Sequence, residues 1–71
     1  MKMQQHISYD DAGELVISLT PKQNQRLFLN IRKRYSVNDK TKELDSFLSL
    51  DDARWLRDYL NTWVEREIED A

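Results

Sequence analysis

The sequence predicts an α+β domain: a four-stranded antiparallel β-meander followed by one long C-terminal amphipathic helix, in the order ββββα. Three observations predict it. Residues 14–20 and 26–37 alternate apolar and polar side chains with the period of two that marks a half-buried strand. Turn-forming clusters, Asp10-Asp11-Ala12-Gly13 and Asn38-Asp39-Lys40-Thr41, separate such stretches. Beyond Ser49 the chain runs to about Ile68 without a Gly or Pro.

Each element follows in order. His6-Ile7-Ser8-Tyr9 reads as a short first strand, and Gly13 is the turn residue that takes positive φ without penalty. In the second strand Leu15, Ile17 and Leu19 share a face. Residues 21–25 read as a polar loop. The third strand carries Leu27, Leu29, Ile31, Tyr35 and Val37 on one face, and residues 43–50 return with Leu44, Leu48 and Leu50 inward. Ser49 and Asp52 have the spacing of a helix N-cap, and Asp51 and Asp52 suit the positive end of the helix dipole. Ala53, Leu56, Leu60, Trp63, Val64 and Ile68 form the helix's apolar stripe, which Trp55 and Tyr59 widen to nearly half its circumference.

Turn positions suggest a register. Val37 against Lys42 sets Tyr35 opposite Leu44, Ile31 opposite Leu48 and, on the outer face, Arg34 opposite Asp45. Leu19 against Leu27 sets Ile17 opposite Leu29, Leu15 opposite Ile31 and Glu14 opposite Arg32. Both registers keep the apolar residues on one side. The helix is then expected to cover that side, with Leu56, Leu60 and Trp63 as core.

Seventy-one residues make a single domain, spanning 1–71, close to the lower size at which a hydrophobic core alone holds a fold. With 39% hydrophobic and 34% charged residues the core is modest, and a chain this small ordinarily needs a staple or a partner. It has no cysteine, hence no disulfide framework and no thiolate metal site. No apolar run is long enough to span a bilayer, and the first residues lack the apolar stretch of a signal peptide. The expected location is the cytoplasm.

The net charge of −2 conceals a polarity. Residues 22–42 hold seven basic residues against one acid, whereas residues 43–71 hold three against nine. Such segregation creates fields that a charged ligand senses at a distance. The outer sheet face is expected to display Val16, Ser18, Arg26, Phe28, Asn30, Arg32, Arg34 and Phe47. Aromatics beside arginines on an open sheet suit base stacking and phosphate contact. Lys22, Lys33, Lys40 and Lys42 would extend the field, although alternation points Lys33 inward unless it snorkels at an edge or a bulge turns it out. The alternative is plain surface decoration, because cross-strand acids at Glu14 and Asp45 would neutralise Arg32 and Arg34 in pairs worth roughly 0.2–1 kcal/mol.

Catalysis is not expected. His6 is the single histidine and there is no cysteine, so neither a catalytic triad nor a zinc ligand set is expected. Asp10-Asp11 and Asp51-Asp52 fall at turn and capping positions, and the single glycine excludes a glycine-rich phosphate loop. No cofactor or metal is implied.

The run Leu27-Phe28-Leu29-Asn30-Ile31-Arg32-Lys33-Arg34-Tyr35 resembles the long strand of the positive-cofactor-four family of transcriptional coactivators. Leu48-Ser49-Leu50 followed by Trp55 resembles that family's sheet-to-helix junction. The resemblance covers about residues 26–60. It implies a small dimeric ββββα domain that binds single-stranded DNA, with Arg32 and Tyr35 among the contacting positions and the helix at the dimer contact. The fourth strand, Glu43-Leu44-Asp45-Ser46-Phe47, departs from the basic, glycine-bearing strand of the family.

The resulting expectation is a non-catalytic, transcription-related homodimer that binds single-stranded nucleic acid through Lys22, Arg26, Phe28, Arg32, Lys33, Arg34, Tyr35 and Phe47. Trp55, Tyr59 and Trp63 would form the dimer interface. The competing expectation is a small, phage-like protein-interaction module that inhibits or regulates a host protein.

Overall fold

The structure, a computed structural model, describes residues 1–70. Four antiparallel strands, β1 (Gln4–Asp10), β2 (Gly13–Lys22), β3 (Arg26–Tyr35) and β4 (Thr41–Leu48), form one sheet in the order β1-β2-β3-β4. A single helix, α1 (Leu50–Asp70), follows. The expected ββββα order is what the chain adopts.

The connections explain the strand ends. Asp10 and Gly13 close a two-residue turn in which one Asp10 carboxylate oxygen accepts from the amides of Ala12 (2.8 Å) and Gly13 (3.0 Å). Gly13 has φ +144°, and a Cβ there would lie 1.9 Å from the Arg34 carbonyl oxygen, so only glycine lets β3 pass this close. Strand β2 runs on through Pro21 to Lys22, two residues into the expected loop. Proline is tolerated because β1 begins opposite Leu19, which leaves Pro21 no neighbour on that side. The β2–β3 loop is only Gln23-Asn24-Gln25, with Asn24 and Gln25 left-handed at φ 62° and 58°.

After Tyr35 the chain leaves the sheet in a tight turn. The Asp39 amide donates to the Tyr35 carbonyl (2.9 Å), the Tyr35 amide to the Lys40 carbonyl (2.8 Å), and the Lys40 amide to Asn38 Oδ1 (3.0 Å). Val37, expected on the inner face of β3, therefore sits in the loop and is 88% exposed.

Both registers differ from those expected. Across β2 and β3, Leu19 pairs with Leu29, Ile17 with Ile31, Leu15 with Lys33 and Glu14 with Arg34, a slip of two. Across β3 and β4, Ile31 pairs with Leu44, Leu27 with Leu48, Phe28 with Phe47 and Asn30 with Asp45, a slip of four. Even slips keep every side chain on its face, so the apolar pattern cannot distinguish them; loop closure decides.

One sheet face is a leucine face, carrying Leu15, Ile17, Leu19, Leu27, Leu29, Ile31, Leu44 and Leu48. The helix does not close it. Ser49 and Asp52 form a reciprocal capping box, each amide donating to the other's side-chain oxygen at 3.1 Å. From that start α1 touches only β3 and β4. Ala53 and Leu56 are half-buried, but Leu60 is 46% and Trp63 52% exposed, so the expected core of Leu56, Leu60 and Trp63 is not assembled within one chain. Among the described residues the one buried hydrophobic is Val16, at 3% exposure, and it lies on the opposite face.

The global dimensions agree. A chain of 71 residues packed at ordinary density has a radius of gyration of about 11 Å, whereas this one measures 14.5 Å, with extents of 39 × 35 × 17 Å. Its accessible surface is 6321 Å², against ~4,700 Å² for a monomeric protein of this mass. The chain holds ~1,600 Å² more surface than its size requires.

Candidate nucleic-acid interface

The face opposite the leucines is built in rows, because residues directly paired across antiparallel strands stand side by side. Lys22 and Arg26 form the first row, beside the β2–β3 loop. Thr20, Phe28 and Phe47 form the second, and Ser18, Asn30 and Asp45, with Gln5 from β1, the third. Ile7, Val16, Arg32 and Glu43 make the fourth, and Tyr9, Glu14, Arg34 and Thr41 the last.

The second row is the aromatic one. Phe28 and Phe47 face each other across β3 and β4 with ring centroids 5.1 Å apart and planes inclined by 56°. The Arg26 guanidinium carbon lies 5.3 Å from the Phe47 centroid, a cation–π contact. Phe47 remains 49% exposed and, with Arg26, Lys22 and Pro21, lines a shallow groove at this end of the sheet.

The arginines separate by charge environment. Arg34 donates to Asp39 through Nε at 2.7 Å, and the aspartate beside it pushes its guanidinium further up, with Glu14 adding to the effect. Arg34 is thus the neutralised arginine. Arg32, expected opposite Glu14, stands instead between Val16 and Glu43. Among the described residues no carboxylate lies within ion-pair distance of Arg26 or Arg32. Asp45, expected to neutralise Arg34, stands opposite Asn30. At the far corner the Glu14 carboxylate holds the Tyr9 phenol above its usual range, first by hydrogen bonding and then by its charge.

Of the residues expected to contact nucleic acid, Lys22, Arg26, Phe28, Arg32, Arg34 and Phe47 share this face. Lys33 and Tyr35 do not. Pairing between β2 and β3 is continuous, with no bulge to turn Lys33 out. It stays on the leucine face, 18% exposed, with Nζ donating to both Asp10 carboxylate oxygens at 2.9 and 3.0 Å. Tyr35 is on that face too, its ring 6.0 Å from Lys42 Nζ. The inward placement read from alternation describes both residues, and a ligand lying on the arginine–aromatic face does not reach them.

Sequence reasoning passed over Gln5, Ile7 and Tyr9, which β1 adds to this face. Their own alternation, Gln5, Ile7, Tyr9 against His6 and Ser8, was the available signal. On the helix, Trp55 and Tyr59 stack with centroids 5.6 Å apart and planes 16° from parallel. At 100° per residue this pair lies to one side of the Leu56, Leu60, Trp63 and Val64 stripe, so Trp63 belongs to the stripe and the other two to its flank.

Among the described residues no three histidine, cysteine or carboxylate side chains come together to hold a metal ion, and no helix is long and apolar enough to cross a membrane. No protein family, no curated protein and no solved structure matches the chain.

Proposed function

We propose that this chain is a non-catalytic, cytoplasmic domain that binds single-stranded nucleic acid on its arginine–aromatic face and works as a homodimer in transcription-related regulation. The observation that carries the reading is the row Thr20–Phe28–Phe47 with Arg26 beside it and Arg32 two rows away, neither arginine in an ion pair among the described residues, although Glu43 stands across from Arg32. Phenyl rings stack on any base, and unpaired guanidinium groups hold phosphate oxygens, so these rows supply both halves of single-strand binding. A sheet face of this width is open to a splayed strand and too flat to enclose a small molecule. The resemblance of residues 27–35 to a coactivator strand agrees with this placement at Arg32, which lies on the face in question, and not at Tyr35, which lies on the other.

The dimer is supported by area. Covering ~1,600 Å² on each of two chains gives an interface within the size range of obligate homodimers. The leucine face, half-buried except at the exposed Leu44, and the exposed stripe of Leu60, Trp63 and Val64 are the apolar surfaces that a two-fold pairing would cover together.

The test is fluorescence anisotropy with a labelled mixed-sequence dodecamer, titrated from low to moderate salt. Binding should weaken steeply with salt, and Arg26→Ala and Arg32→Ala should each weaken it at all sequences and reduce the salt slope by about one. No anisotropy change at about 50 mM salt removes the reading.

A second reading rests on the same uncovered apolar surface: a protein-interaction module, phage-like in its small size, that docks on and regulates a host protein. A chain that remains monomeric at high concentration and co-purifies stoichiometrically with another protein would favour it.

A further inference from the structure

The two edges of the sheet are not alike. An edge strand carries a row of unpaired amides and carbonyls, which folded proteins guard with charged side chains, proline or bulges. The β4 edge is guarded, with Lys42, Glu43 and Asp45 spaced along it. The β1 edge is not. It pairs with β2 without a bulge from Gln4 to Asp10, and residues 4–9 hold no carboxylate, lysine, arginine or proline. Met3, Ile7 and Tyr9 lie along it as exposed apolar side chains.

Such an edge accepts another extended strand, and residues 2–10 are complementary to a second copy of themselves. In a two-fold antiparallel pairing, residue i meets residue j of the second copy and j meets i, so the residue on the axis fixes every other partner. With His6 on the axis, Gln5 meets Ile7, Gln4 meets Ser8, Met3 meets Tyr9 and Lys2 meets Asp10, each pair occurring twice. Opposite charges and apolar or aromatic contacts at directly opposed positions are what stabilise an antiparallel pair. Lys2 is exposed and in no ion pair among the described residues, and the Asp10 side chain, although bonded to Lys33, remains 63% exposed. Moving the axis by one residue, to Gln5 or Ile7, sets Lys2 against Ser8 or Asp10 against Gln4, and the ion pair is lost.

We propose that β1 is a self-association edge, to which a second copy adds its own β1 antiparallel with His6 on the two-fold axis, joining two sheets into one of eight strands. An axis perpendicular to the sheet keeps like faces together. The arginine–aromatic faces of the two copies therefore run into each other through Gln5, Ile7 and Tyr9. The contact is separate from a helix-mediated dimer, because α1 touches only β3 and β4, on the other side of the sheet. Pairing of two strands that brings no core with it is marginal in water, so it joins helix-paired dimers only where copies are concentrated. It needs no nucleic acid and goes beyond the single-strand reading.

The experiment uses the absence of cysteine from the chain. Gln5→Cys, His6→Cys and Ile7→Cys are made singly in the full chain and exposed to a mild oxidant, and disulfide-linked dimers are followed on non-reducing gels. Directly opposed residues lie about 4.5–5.5 Å apart between Cα atoms, within reach of a disulfide. Diagonal neighbours, about 7–8 Å apart, are not. His6→Cys should cross-link to itself, whereas Gln5→Cys and Ile7→Cys should cross-link efficiently only when mixed with each other. Lys2→Glu, a change outside the strands that sets acid against Asp10, should slow the His6→Cys cross-link severalfold. Equal cross-linking at all three positions, cross-linking at none, a maximum for Gln5→Cys or Ile7→Cys alone, or a His6→Cys rate that Lys2→Glu leaves unchanged overturns the proposal. The pattern should persist when Leu60→Asp is added, so strand pairing and the helix-mediated dimer fail separately. Oligonucleotide binding by the reduced parent chain stands or falls independently of both.

Discussion

Asp10 does two jobs with one carboxylate. It accepts the Ala12 and Gly13 amides that close the β1–β2 turn, and it neutralises Lys33 on a face otherwise made of leucines. The Lys33 hydrogen bond holds the Asp10 carboxyl below the usual carboxylate range; desolvation is the next largest effect and opposes it, while the Ala12 and Gly13 amides and the Lys33 charge add to the lowering. A carboxyl whose folded pKa is depressed contributes stability that is fully present above its unfolded pKa. That contribution is lost as pH falls through the folded value. Thermal melts taken from pH 6 downward should show Asp10→Asn flattening the acid limb of the profile; a parallel profile in the variant would show that Asp10 is not the group responsible. The arginines allow a paired prediction at the same scale. Arg34 is committed to Asp39 and screened by Glu14, so Arg34→Ala should change oligonucleotide affinity by less than about threefold. Arg32→Ala should cost about fivefold or more, as loss of one charge-assisted phosphate contact. Equal losses at the two positions would show that the Asp39 pair opens on binding.

At the scale of elements, the helix start shows a local rule obeyed in full. Ser49 and Asp52 cap each other, and Asp51 and Asp52 stand where the helix dipole favours negative charge. Little tertiary contact supports α1 beyond its first two turns, so its caps weigh more than in a packed helix. Ser49→Ala should cost about 1 kcal/mol, read as a lowered urea midpoint together with reduced helical circular dichroism. The sheet teaches the opposite lesson. Strand identity and facing were legible in the alternation of residues 14–20 and 26–35. Partners were not, because a slip of two or four residues leaves that alternation unchanged. Three-residue closure at Gln23-Asn24-Gln25 and the Tyr35–Asp39 turn set the pairing. Through them Phe47 moves from a place opposite Arg32 to one opposite Phe28.

For the whole molecule, the dominant fact is an exposed helix stripe beside a leucine face that is only half-buried. A domain near the lower size limit for a single core that leaves its helix stripe exposed has little to hold the helix in place alone. In the proposed dimer, each leucine newly buried would contribute about 2 kcal/mol. Sedimentation equilibrium should therefore give about twice the chain mass of 8.6 kDa, and the melting temperature should fall on dilution, as it does where folding and association are coupled. Leu60→Asp should convert the protein to a monomer with reduced helicity without touching the arginine–aromatic face. A stable monomer of the parent chain at millimolar concentration would contradict the dimer.

By itself the sequence determined the order of elements, the helix cap, the division of the sheet into a leucine face and an arginine–aromatic face, and the lack of any cysteine for a thiolate site. These are local or periodic properties, set by side-chain alternation, capping chemistry and composition. Only the tertiary structure decided which residues are neighbours across strands, that Arg34 pairs with Asp39 while Arg26 and Arg32 are in no ion pair among the described residues, that Asp45 lies beside Asn30, and that the helix leaves its apolar stripe exposed. Those depend on loop closure and on the angle at which one element leaves another, and neither is written in the period of a single strand or helix.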